Sequence, residues 1–350
     1  MLITRAPVRI SLAGGGTDLP AYYEEFGGAV INTTIDKFFY VFVNVLDDDS
    51  LQISSSDYRT FYRHDGQEPL LWDGDLRLPR AVLSHFGVKS GVSVFLASEI
   101  PPGTGLGSSG AVTVAIIKAI STALDIRMDR AQLAELACHI ELDKLAEPIG
   151  KQDQYAAAFG GLNWIEFSRE GVKVEPLFLP LEVNLRLQRN LLLFFTGSTR
   201  SASQILARQS ESSRRHEPAV IDALHRVKAM AYDARLALER GDLRAFGELL
   251  HENWEQKKHF ATNISNSEID QAYSMAHAAG ALGGKITGAG GGGFLLLYCE
   301  PEHQAGVTQV LERQGMRRMD YRFETQGARV LMNAGFTLGA SRKVTAAEYH

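Results

Sequence analysis

Cysteine is nearly absent. Cys138 and Cys299 are the two in 350 residues, each inside an apolar periodic segment, so neither a disulfide framework nor a cysteine metal site is expected, and a reducing compartment fits. No apolar run reaches the roughly 18 residues that a membrane span needs. The chain passes from Met1 through Arg5 and Arg9 into glycines without the charged-then-apolar order of a secretory signal, which makes the expected location cytoplasmic. Positive charge is not in excess either. A net charge of −5 argues against nucleic acid or an anionic membrane as partner, while leaving room for a local basic pocket that takes a small phosphorylated ligand. Biased tracts and repeats of fixed period are also missing.

What remains is a globular composition, 45% hydrophobic and 22% charged, at a length that suits two domains with a cleft between them. Residues 29–46, AVINTTIDKFFYVFVNVL, are rich in β-branched and aromatic side chains and read as two strands or one bent strand; 92–98, VSVFLAS, read as another. The segment from Ser54 to Pro79 is polar and irregular. A helix is predicted from Ser108 to Leu124 directly after a glycine turn, and a second follows the good cap Asp129, with Leu133, Leu136, Ala137 and Ile140 on one face, ending before Pro148. LLLFFTG from Leu191 reads as a buried strand, followed by helical patterns at 201–240, 242–260 and 267–281, the strand FLLLYCE, a helix after Pro301, and a last strand near Ala328 to Met332. Strands and helices mix in both halves, so the fold class is α+β. Pro176 and Pro180 mark a break, giving expected domains 1–185 and 186–350.

Three glycine constellations carry chemistry. In Glu99-Ile-Pro-Pro-Gly-Thr-Gly-Leu-Gly-Ser-Ser-Gly110 a strand runs through alternating glycines into a helix start bearing two hydroxyls. Glycine lets backbone N–H groups approach an anion, and the helix start adds a positive dipole end, so this reads as a phosphate cradle. Ser108 and Ser109 are also able to cap the helix, and a serine hydroxyl beside a triphosphate suits Mg²⁺. No lysine precedes the serines, which excludes a P-loop. Gly105, Gly107 and Gly110 satisfy G-x-G-x-x-G, but no clear βαβ unit follows, so a dehydrogenase is the weaker rival. Lys285-Ile-Thr-Gly-Ala-Gly-Gly-Gly-Gly-Phe294 holds more glycine than a hairpin turn needs and predicts a backbone packed against a ligand or another glycine loop. Ala6-Pro-Val-Arg-Ile-Ser-Leu-Ala-Gly-Gly-Gly-Thr-Asp18 ends on a carboxylate suited to sugar hydroxyls, or to capping the helix at Leu19-Pro20; Arg9 is placed to meet phosphate charge. Glu141 falls at the edge of an apolar helix face, where it meets a lysine or a metal. Asp153 either caps the helix QYAAAF or acts chemically.

Taken in order, APVRISLAGGGTD, PPGTGLGSSG and KITGAGGGG resemble the three signature motifs of the GHMP kinases. The resemblance spans residues 5–293 and implies a two-domain fold: an N-terminal mixed α/β domain that binds ATP, a ferredoxin-like C-terminal domain, and the active site in the cleft between them. Carried over by position, it implies ATP phosphates on Pro102, Gly103, Thr104, Gly105, Leu106, Gly107, Ser108 and Ser109, with Mg²⁺ on Ser109 and Glu141. Asp153 becomes the base, assisted by Arg9 and by Lys151, for which a salt bridge at the helix start is the alternative. The acceptor then meets Arg9, Gly15, Gly16, Thr17, Asp18, Gly288, Ala289 and Gly290. AGGGTDLPAYYEEFGG and TGSTRSAS resemble the heptose 7-phosphate kinase branch, which implies transfer to an anomeric hydroxyl and a candidate distal-phosphate ligand in Arg200. The implied partners are ATP, Mg²⁺ and a sugar phosphate, with a homodimer left open; at 350 residues the expectation is a kinase standing alone. An L-fucose kinase-like activity and a catalytically silent ligand-binding protein are the alternatives. Trp72 and Tyr58 are candidates to stack on adenine.

Overall fold

A computed structural model describes residues 1–57, 59–65, 70, 74–199 and 202–338. Tyr58, Trp72 and Arg200 lie outside the described residues, so the readings that rest on them go no further.

The first half runs β1 (Leu2–Ala13), α1 (Pro20–Phe26), β2 (Gly28–Val45), β3 (Leu51–Ser55), β4 (Thr60–His64), α2 (Arg77–His85), β5 (Val92–Ser98), α3 (Ser108–Ala123), α4 (Arg130–Cys138), α5 (Gln152–Phe159), β6 (Leu162–Ser168) and β7 (Gly171–Pro176). The second runs α6 (Leu181–Asn190), β8 (Leu191–Phe195), α7 (Ala202–Arg214), α8 (Pro218–Arg240), α9 (Leu243–Lys257), α10 (Ser267–Ala278), β9 (Ala281–Ile286), β10 (Phe294–Cys299), α11 (Pro301–Arg313), β11 (Arg317–Arg318) and β12 (Arg329–Asn333).

The long apolar run after Gly28 is one 18-residue strand. Its first part pairs with β6 and its second with β5, while β1 follows it on the other side. The resulting sheet has the order β12-β1-β2-β5-β3-β4, with β6 and β7 branching from β2. Every pairing is antiparallel except β3 with β5. Helix α3 packs on β1 and β2, and the Thr4 hydroxyl donates to the Ala115 carbonyl at 2.8 Å. The second sheet has the order β11-β8-β10-β9. Its central strand, FLLLYC, is buried along its whole length, as an apolar run without alternation requires.

The structure corrects several expectations. β12 does not stay with the second half: Leu2 lies opposite Asn333 and Arg5 opposite Arg329, so the chain returns to cover the exposed edge of β1. The division at 185/186 therefore does not separate two continuous segments. The helical pattern from 201 to 240 is two helices, because Pro218 occupies the first turn of α8 and its ring cannot sit inside a continuing helix. The break read at Pro180 is the cap position of α6, in which Leu187 is buried while Leu181 and Leu185 face solvent. The polar stretch after Ser54 contains β4 and the start of α2. Asp129 does cap α4, with Gln132 closing a reciprocal capping box.

Candidate active site

Each glycine constellation follows a strand, and the two sheets bring all three together. The Arg9 guanidinium on β1 makes the first connection: one nitrogen lies 2.5 Å from Asp153 on α5, and another donates to the Gly105 carbonyl at 2.7 Å. The second connection is backbone on backbone. A Cβ on Gly105 would sit 2.5 Å from the Thr287 carbonyl oxygen, and one on Gly288 would sit 2.6 Å from Cα of Gly105. No L side chain fits either place. The Thr104 carbonyl accepts from the Phe294 N–H and the Thr287 hydroxyl, both at 3.3 Å. The expectation that the third loop packs on another glycine loop is thus met physically.

The helix start differs from the expected serine cap. Gly107 occupies the cap position in the left-handed region, φ 77°, and no side-chain hydrogen bond caps the helix. A cap at this position needs no hydroxyl, which frees both serines. Ser109 Oγ instead donates to Glu141, and among the described residues the buried Ser108 Oγ has no partner.

Glu141 is completely buried. It sits on a π-helical turn, His139–Lys144, that continues α4; such turns often mark functional positions because they re-aim a side chain. Its other oxygen accepts from Gln154 at 3.0 Å. Burial pushes the Glu141 carboxyl up to about 7, against the hydrogen bonds from Ser109, Thr113 and Gln154. Asp153 lies in the first turn of α5 without capping it, since Lys151 holds that position. Its carboxyl is also raised, by burial first, with Arg9 pulling it down and Asp18 pushing it up. The side chain retains 26% exposure, so an acceptor can reach it.

Asp18 does not cap α1 either. It accepts from the Gly16 N–H at 3.0 Å and the Gln152 N–H at 3.3 Å, while a Cβ on Gly150 would collide with its carboxylate. Thr17 turns inward, its hydroxyl donating to the carbonyls of Gly14 and Ala29 at 2.8 and 3.1 Å.

Arg9, Gly16, Asp18, Gly105, Gly107, Ser108, Ser109, Asp153, Gly288 and Ala289 line one cavity. Ser108, Ser109 and Gly103 also border a neighbouring apolar cavity formed by Phe39, Leu76, Leu78, Pro79, Leu96, Ile100 and Pro102. Leu106 is core. Gly290 is taken up in packing against Ile264, and Gly15 sits against Ser11. Lys151 follows the second of its two readings, a salt bridge at a helix start. Although next to the cavity in sequence, its ammonium turns away to bind Glu135 at 3.0 Å and faces a separate cavity with Tyr23 and Arg214.

Four residues that no sequence pattern marked belong to this arrangement: Gly150, Gln152, Gln154 and Lys257. Gly150, Gln152 and Gln154 flank Asp153 in GKQDQ, and that proximity is the signal. For Lys257, at the end of α9, there was none.

Residues 77–161 match the GHMP kinases N terminal domain and residues 234–315 match GHMP kinases C terminal. The chain is 31% identical to the D-glycero-alpha-D-manno-heptose 7-phosphate kinase of Campylobacter jejuni, over 93% of this chain and 97% of that protein. It is 28% identical to an L-fucokinase/L-fucose-1-P guanylyltransferase of Bacteroides fragilis, over 88% of this chain and 35% of that longer protein. Among solved structures, a D-glycero-D-manno-heptose 1-phosphate kinase from Bacteroides thetaiotaomicron superposes with a TM-score of 0.79 at 29% identity, covering 95% of this chain and 99% of that one. The chain belongs to the GHMP kinases. It is a phosphotransferase with an alcohol group as acceptor. No helix among the described residues is long and apolar enough to cross a membrane.

Proposed function

We propose that the chain transfers the γ-phosphoryl group of ATP to the anomeric C1 hydroxyl of D-glycero-D-manno-heptose 7-phosphate, giving the 1,7-bisphosphate for nucleotide-activated heptose. The observation that carries the reading is the Arg9–Asp153 pair, 2.5 Å apart, in the cavity that the second and third glycine loops close.

The acceptor hydroxyl approaches Asp153, which takes its proton as the oxygen–phosphorus bond forms and the bond to ADP breaks; the proton then leaves to solvent. Burial raises this carboxyl, and Arg9 draws it back down toward the ionised form that accepts a proton. The nucleotide phosphates lie over Gly103 to Ser109 at the dipole end of α3, and the apolar cavity beside Phe39 and Leu76 suits adenine. Ser108 Oγ, free of protein partners among the described residues, is available to a phosphate oxygen.

Mg²⁺ fits Ser109 and Glu141. Both are oxygen donors, they already touch, and the fully buried Glu141 carboxylate, which makes no ion pair among the described residues, would gain a counter-charge from a hard cation held there. When bound, the ion offsets charge on the transferring group. Asp18, fixed by Gly16 and Gln152, presents its carboxylate to the sugar hydroxyls. Lys151 is assigned no part in the transfer, since Glu135 holds it elsewhere.

The similarity to the C. jejuni enzyme supports the heptose phosphate, and that to the B. fragilis fucokinase supports L-fucose as the second reading. ADP release from Mg-ATP separates them, with heptose 7-phosphate, mannose, galactose, L-fucose, mevalonate and homoserine as acceptors. Turnover with heptose 7-phosphate alone is the expected result. Turnover with L-fucose alone replaces the acceptor. ATP binding with no turnover on any of them makes the chain a ligand-binding member of the family.

A further inference from the structure

Behind the third glycine loop lies a charge that the reaction as described does not use. Lys257 is 6% exposed, at the last turn of α9, and makes no ion pair among the described residues. Its ammonium donates to the Gly288 carbonyl at 2.5 Å and to the Ile286 carbonyl at 3.2 Å. Taking an ammonium out of water is costly, and helix ends rarely need a lysine this deep. Arg9 and the buried Lys285 repel it, and Asp18 is the carboxylate that favours it; burial and Arg9 together hold the Lys257 ammonium down at about 7. Such a group persists where its geometry is used.

The use follows from peptide planarity. No peptide bond in the described chain is cis, so the carbonyl of Gly288 and the N–H of Ala289 point in opposite directions across one rigid amide. With the carbonyl drawn toward Lys257, the Ala289 N–H faces the other way. Gly288 and Ala289 both line the cavity that holds Ser108 and Asp153. Among the described residues, the N–H groups of Gly288, Ala289, Gly290 and Gly292 have no hydrogen-bond partner, whereas those of Thr287, Gly291 and Gly293 donate to Phe294, Ile264 and Ser198. Of these open donors, the Ala289 N–H is the one on the amide that the lysine grips.

We infer that Lys257 is a positioning residue for phosphoryl transfer: it clamps the Gly288 carbonyl and so aims the Ala289 N–H at the terminal phosphoryl group in the cavity. The inference rests on the phosphotransfer reading above, though not on which sugar accepts. A preoriented donor at a developing charge is worth most because it pays no reorganisation during reaction. Lys257 touches neither substrate, and its ammonium acts through the loop.

The test compares Mg-ATP with Mg-ADP binding by calorimetry, which needs no acceptor. Lys257→Met, of similar length and uncharged, is expected to lose about tenfold of the ATP-over-ADP preference while ADP affinity stays unchanged. Turnover with the accepted sugar should fall about a hundredfold. Ethylammonium supplied to Lys257→Ala should restore the preference saturably, which a lysine that only fills space would not allow. An unchanged preference in Lys257→Met overturns the clamp, as does an equal loss of ATP and ADP affinity without amine rescue. Should the methionine variant not fold, Lys257→Leu, which likewise carries no donor, is read in the same way. A chain that prefers ATP in a Lys257-dependent manner but phosphorylates no sugar in the panel upholds the clamp and overturns the proposed reaction, so the two fail separately.

Discussion

Gly288 rests against Gly105 with no room between them: a Cβ on the first would lie 2.6 Å from the Cα of the second. The contact joins the loop of one sheet to the loop of the other, so the cavity's shape depends on two residues 183 positions apart in the chain having no side chain. Gly288 also holds φ at +65°, where an L residue is strained. Gly288→Ala is expected to destabilise the fold by about 1–3 kcal/mol and to weaken ATP binding more than tenfold. Denaturant melts and nucleotide titration measure both. Wild-type affinity in this variant would mean that the loops do not need to touch.

Asp153→Asn keeps the size of the side chain and removes the proton acceptor. Turnover should drop at least a hundredfold, with the ATP dissociation constant nearly unchanged because no phosphate contact is lost. Steady-state kinetics beside a binding titration separates the two. Near-normal turnover would remove Asp153 from the role of base.

Glu141→Gln should move stability and activity in opposite directions. A buried carboxylate without a metal is unfavourable, so the metal-free variant should melt no lower than the parent, and above it at neutral pH. The Mg²⁺ concentration for half-maximal turnover should rise at least about tenfold, since the amide oxygen is a weaker ligand for a hard cation. Melting curves without metal and Mg²⁺ titrations of turnover check the pair of effects. A lower melting point with unchanged Mg²⁺ dependence would make the Ser109–Glu141 contact purely structural.

Lys257 gives the ligand-free protein a specific pH signature. Its ammonium titrates near 7 when folded and near about 10.4 when unfolded. Between these values the unfolded chain binds the extra proton, so stability rises with pH, by at most about 1.4 kcal/mol per unit for this group. Relative to Lys257→Met, the parent should therefore gain stability from pH 7 to pH 9. Denaturant midpoints for both proteins at three pH values test it, and parallel curves would show that the ammonium is not depressed.

Much of the site was legible because its composition is unusual. Five glycines within six positions, or three alternating glycines before two serines, have few physical uses besides close backbone approach. The order of the three runs sufficed to identify the kinase family. Asp129 as a helix cap and the strand at Leu191 were equally readable, since both depend on local chemistry. The 18-residue β2 was read as one or two strands; the choice lay with β5 and β6, which pair with different parts of it.

What the linear chain determined by itself was the set of backbone positions that must lie bare and the polar groups placed beside them, because glycine freedom and helix starts are local properties. Direction and partnership were decided only by tertiary structure. Lys151 and Asp153 are two residues apart, yet one occupies the cap position and turns to Glu135 while the other begins the helix and turns to Arg9. β12 joined the first sheet because β1 had an edge whose N–H and C=O groups needed partners. Lys257 entered the site because α9 packs beneath β9 and sets its ammonium against the loop that follows. No pattern in the sequence near residue 257 records that contact, since the carbonyls it binds arrive from another strand.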